Sequence, residues 1–158
     1  MKRTLILAAA AVLFAAVSAV AAEKPDKDPG YKIMHDYVLT MPKVKAYDTA
    51  YGALTTAAKA GDPSLKADLA AASSENDQTI AATIDKMTKH PRLYAFFQKQ
   101  GLSKMEASLL PLILMDACTA AQYPSMIPQL ADRMTPAQAD FCKTNMATIK
   151  TMHFFSGQ

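Results

Sequence analysis

The chain has 158 residues, 17 Lys and Arg against 14 Asp and Glu, and a formal charge of +3. Lys2 and Arg3 supply two of those charges, so the chain beyond them carries only +1. That near-balance excludes the concentrated basic face that nucleic-acid binding needs. Hydrophobic residues make up 51% of the chain, enough for one core, and the length suits one domain.

The first 22 residues read as a secretory signal peptide. Lys2 and Arg3 form a basic n-region, Leu5 to Val20 an Ala-rich apolar stretch, and Ala19-Val20-Ala21-Ala22 small-residue cleavage sites. Cutting after Ala21 or Ala22 predicts a periplasmic or secreted protein with no stable membrane insertion afterwards; an uncleaved anchor is the alternative. Residues 23–30, EKPDKDPG, are charged and breaker-rich, and read as a flexible arm. Residues 31–158 then form a single helical domain.

Tyr31 to Leu39 fits both a period of two and a helical spacing, and is read as a short helix or turn. Thr40-Met41-Pro42 starts a helix whose apolar stripe runs through Val44, Tyr47, Tyr51 and Leu54 to a stop at Gly61. Asp62-Pro63 restarts one to about Ala72. Ile80, Ile84 and Met87 mark the next, ended by His90-Pro91. Pro91 opens a short helix with Leu93, Phe96 and Phe97 facing inward, closed at Gly101.

Leu102 to Ala121 organises the rest. Ser103 and Glu106 have capping-box spacing, and the stretch beyond them is apolar almost all round. Such a helix is buried in a core, and its apolar run is too short to span a bilayer. Pro111 within it predicts a kink near Ala107–Pro111. Gln122 to Arg133 reads as a loop with one short turn. A last helix capped at Thr135 carries Cys142, Met146, Ile149 and His153 on one face.

Cys118 and Cys142 are the only cysteines, and an even count in an oxidising compartment predicts a disulfide between them. Buried free thiols are the alternative. Pocket candidates are Phe96, Phe97, Asp116 and His153. Asp116 sits near the C-terminal end of an apolar helix, where a carboxylate is disfavoured, and is expected to turn toward solvent. His35, His90 and His153 lie in no zinc-binding pattern, so no metal is assigned. The ten methionines read as core filler, with copper as the other reading. Met34 or Met41 with His153 could hold haem between helices. Lys86, Lys89, Arg92, Lys99 and Lys104 read as a solvated face. No acid–base pair or nucleophile stands out, so no catalysis and no cofactor are predicted.

Met134-Thr135-Pro136-Ala137-Gln138 resembles the Leu-Thr-x-x-Gln signature of periplasmic helical chaperones of the Spy/CpxP type. Leu39-Thr40 looks like a second, partial copy, with Lys43 where Gln is expected. The resemblance implies client binding on a cradle-shaped dimer. Leu39-Thr40 with Val44 and Tyr47, then Pro91, Gly101-Leu102-Ser103 and Glu106, is similar to small exported all-helical bacterial proteins of unknown function. The prediction is an all-α bundle of about five or six helices around a buried, Pro-kinked central helix. Its expected role is non-catalytic binding or structural, with a chaperone-like client binder or a haem or copper carrier as alternatives. The partner is a protein or a small molecule of unspecified identity.

Overall fold

The computed structural model describes residues 28–75, 77 and 79–156. Residues 1–27, with the expected signal peptide and most of the expected arm, lie outside them. The described residues form an all-α bundle. Its long helices are α2 (Met41–Ala60), α3 (Pro63–Ser74), α4 (Ile80–Lys89), α5 (Pro91–Gln98), α6 (Lys104–Gln122) and α8 (Pro136–Ile149). Short ones are added by α1 (Gly30–Asp36), a 3-10 turn at Pro124–Met126, α7 (Ile127–Leu130) and α9 (His153–Ser156).

Local chemistry sets these boundaries. Asp62 accepts from the N–H groups of Ser64 and Leu65 at 2.9 and 3.2 Å, and Thr79 from that of Ala82 at 3.1 Å. Ser103 with Glu106 and Thr135 with Gln138 each close a full capping box. Gly61 (φ 98°) and Gly101 (φ 71°) end α2 and α5 in the left-handed region, where a side chain would be strained. Beyond Gly101 the Leu102 N–H turns back to the Phe97 carbonyl at 3.2 Å.

The core is built round α6, which packs most extensively on α8 and α4 and also meets α5, α2 and α1. Leu109, Leu110, Ile113 and Leu114 are fully buried, as an apolar helix without a polar face requires. Pro111 is buried within the same helix. Ser108 is a polar exception: its hydroxyl is buried with no hydrogen-bond partner among the described residues. An unsatisfied hydroxyl costs about 1–3 kcal/mol. Ser108→Ala is therefore expected to raise stability by roughly 1 kcal/mol, read as a higher urea midpoint at unchanged slope.

The structure differs from the sequence reading at several points. The helical domain takes in Asp28–Gly30, assigned above to the arm. The Asp28 carboxylate accepts from the Gly30 N–H at 2.8 Å and from the Ile80 N–H at 2.7 Å. Gly30 is buried so closely on Ile80 that an added Cβ would overlap that side chain. The expected Cys118–Cys142 bond is not formed. Both are buried free thiols, and the Cys142 thiol donates instead to the Leu114 carbonyl at 3.8 Å. Lys86 does not belong to a solvated face. It is buried in an ion pair with Asp77, which is itself buried.

His153 leaves the face of Cys142 and Ile149. Helix α8 stops at Ile149 and a turn restarts the chain as α9. There the Asp48 carboxylate accepts the Phe154 N–H at 3.3 Å and meets the His153 ring at 3.1 Å. That clamp lays Phe154 edge-on against Tyr47, with ring centroids 5.3 Å apart.

Candidate functional site

The capping boxes of α6 and α8 also hold the segment between α1 and α2. Tyr37 and Thr40 have extended backbone, so side chains along Tyr37–Thr40 alternate: Leu39 is buried, whereas Val38 is 76% exposed. Gln138 fixes this segment on α8. Its Oε1 accepts from the Thr135 N–H at 2.8 Å, while Nε2 donates to the carbonyls of Met34 at 2.9 Å and Tyr37 at 2.7 Å. Gln138 is buried, so these bonds form out of competition with water.

Glu106 holds the other side. Its carboxylate accepts from the Ser103 N–H at 2.8 Å, the Tyr37 hydroxyl at 3.2 Å and the Lys43 ammonium at 3.1 Å. Lys43 donates in addition to the Gly101 carbonyl at 3.1 Å. Burial works to raise the Glu106 pKa, but the Ser103 and Lys43 bonds outweigh it and hold the carboxyl below its ordinary value. Burial, and then the Glu106 charge, push the Tyr37 phenol up, so it stays a donor.

Between this tethered segment and α8 lies a groove of about 590 Å³. Leu39, Ala137 and Phe141 give it apolar lining, with Val38, Asp36 and Asp140 among its other wall residues. Asp36 is paired with the Lys32 ammonium and meets the His35 ring at 2.9 Å. Asp140 has no ion-pair or hydrogen-bond partner among the described residues. The N–H and C=O of Val38 and Leu39 likewise bond to no described residue. The site offers apolar contact, one unpaired carboxylate and a short run of open backbone donors and acceptors.

None of Phe96, Phe97, Asp116 and His153 lines this groove. Phe97 is core, 5.1 Å from Tyr47 between ring centroids, and Phe96 is half-buried under the Lys99 ammonium. Asp116 does not turn freely to solvent. Arg133 reaches it at 3.4 Å and also stands over the Tyr31 ring. Burial pushes the Asp116 carboxyl up against the opposing pull of Arg133. Of Met34, Met41 and His153, considered above for haem, Met34 is buried in the core, Met41 packs against it, and His153 meets the Asp48 carboxylate at 3.1 Å. Among the described residues no three His, Cys, Asp or Glu are gathered as metal ligands, and no helix is long and apolar enough to cross a membrane.

The thiols of Cys118 and Cys142 lie near enough to perturb each other. Interaction with Cys118, and then burial, push the Cys142 thiol well up. The residues that line the groove showed in the sequence as the period of two that Tyr31 to Leu39 also fits, and as the capping letters Thr135 to Gln138. Comparison of the chain with protein families, with curated proteins and with solved structures finds no match.

Proposed function

We propose that this chain is an exported helical protein with a non-catalytic binding or structural role, and that Cys118 and Cys142 become oxidised in the compartment it reaches. The observation that carries the reading is how the ionisable side chains within the bundle are used. Glu106, Asp116 and Lys86 are spent on a cap and ion pairs, and His90 on contact with the Glu75 carboxylate. The export signal of residues 1–22 supplies the address.

Oxidation is supported by the even cysteine count in an oxidising compartment and by the placing of both sulfurs on two helices that pack together. Each thiol gives up its proton, and the pair passes two electrons to an exchanging disulfide of an exported thiol oxidase. That disulfide leaves as two thiols. Expression in a bacterium, followed by fractionation and intact-mass measurement, tests both points. The expected product is periplasmic, lacks residues 1–21 or 1–22, and is lighter by two further hydrogens. A chain found in the cytosol with residues 1–22 attached and both thiols alkylatable after unfolding overturns the reading. The exposed Val38 beside an apolar groove favours binding over a purely structural role.

A further inference from the structure

We propose that the groove between Tyr37–Thr40 and α8 takes an extended peptide of another protein, apolar with a basic residue, added as a strand alongside Val38 and Leu39. The inference deepens the binding reading above and rests on it. Three observations converge. The segment is extended at both ends, with alternate side chains in and out. The N–H and C=O of its two central residues bond to no described residue, and those of exposed Val38 are placed for an incoming strand. An exposed edge of this kind pairs readily with an incoming strand, whose main chain gives affinity while pockets read alternate side chains.

The segment is also rigid, so little ordering cost falls on binding. Gln138 pins its start through two carbonyls, Tyr37 is tied to Glu106, and Leu39 is buried. Charge selects the occupant. Among the described residues Asp140 is the groove carboxylate without an ion-pair partner, so a peptide carrying Lys or Arg gains where an acidic one loses. Residues 23–27 of the chain itself, Glu-Lys-Pro-Asp-Lys, carry Pro25 as their single apolar side chain, too little to fill the pocket with alternate apolar residues.

The test is an NMR titration of the full chain with the heptapeptide Lys-Val-Thr-Val-Thr-Val-Lys, beside the same peptide N-methylated at alternate amides. The parent peptide is expected to shift the Val38 and Leu39 amide resonances. N-methylation, which blocks strand pairing, is expected to weaken binding about tenfold, the value of one or two main-chain hydrogen bonds. Asp140→Asn should weaken the lysine peptide about threefold and leave a threonine-capped version unchanged. Val38→Pro removes one N–H, and the extended Tyr37 accommodates it, so it should match the N-methylated peptide.

Equal binding of the two peptides to the wild-type chain overturns the proposal, whatever the variants do. So do Val38 and Leu39 resonances that respond to protein concentration, which would make the occupant a second copy. Resonances that change when residues 1–22 are removed would assign the groove to the chain's own leader. A chain recovered cut and oxidised from the periplasm but silent toward both peptides overturns the groove alone. A chain retained in the cytosol that still binds through Val38 overturns the export reading alone.

Discussion

Leu110→Ala is expected to destabilise the protein by about 3–4 kcal/mol, a fall in thermal midpoint of roughly 10 °C. Leu110 is fully buried at the middle of α6, and so are Leu109, Ile113 and Leu114 around it. Helices α4, α8, α5, α2 and α1 all pack on α6. A cavity there has no loose neighbour to collapse into it, and the cost of a large-to-small change rises with the cavity left behind. Met115 supplies the control on the same helix. It is 44% exposed, so Met115→Ala leaves no cavity and should cost under about 1 kcal/mol. Urea unfolding of both variants checks the pair. Equal midpoints would mean that α6 is not the enclosed centre of the bundle.

The helices were legible because their signals are local. Asp62-Pro63, Ser103 with Glu106, Thr135 with Gln138, and the two left-handed glycines are short-range rules, and each sits where its chemistry requires. The apolar run of α6 told its own burial. What stayed hidden was pairing between residues far apart in the chain. Lys86 reads as surface until Asp77 is placed on it, and Arg133 reads as loop until it meets Asp116. The cysteines illustrate the same limit: count and compartment predict a bond, while only packing shows two thiols side by side on α6 and α8. The groove was least visible of all. Gln138 is fully explained by its cap in the sequence, and its second pair of bonds, to the carbonyls of Met34 and Tyr37, crosses about a hundred residues.

Glu106→Ala is expected to cost about 2–3 kcal/mol at neutral pH, more than an ordinary cap. It removes the acceptor for the Ser103 N–H and for the Tyr37 hydroxyl, and leaves the Lys43 ammonium with the Gly101 carbonyl and solvent. Glu106→Gln keeps an acceptor for the cap and should recover roughly half of that loss. The acid limb separates charge from hydrogen bonding. Because the folded pKa of Glu106 lies below its ordinary 4.5, its charge stabilises the fold above that value. The contribution is lost as pH falls through the depressed folded value. The gap between wild type and Glu106→Gln in urea midpoint should therefore narrow as pH falls below the ordinary carboxylate value and through the depressed folded one. Asp116 acts in the opposite sense. Burial raises its pKa, so ionised Asp116 opposes folding, and that penalty is relieved as pH falls through the raised value. Both variants retain Asp116, so its effect cancels in the difference and the narrowing belongs to Glu106. A gap that stays constant through the acid range would mean that the Lys43 ion pair contributes nothing, and that Glu106 serves only as a neutral cap.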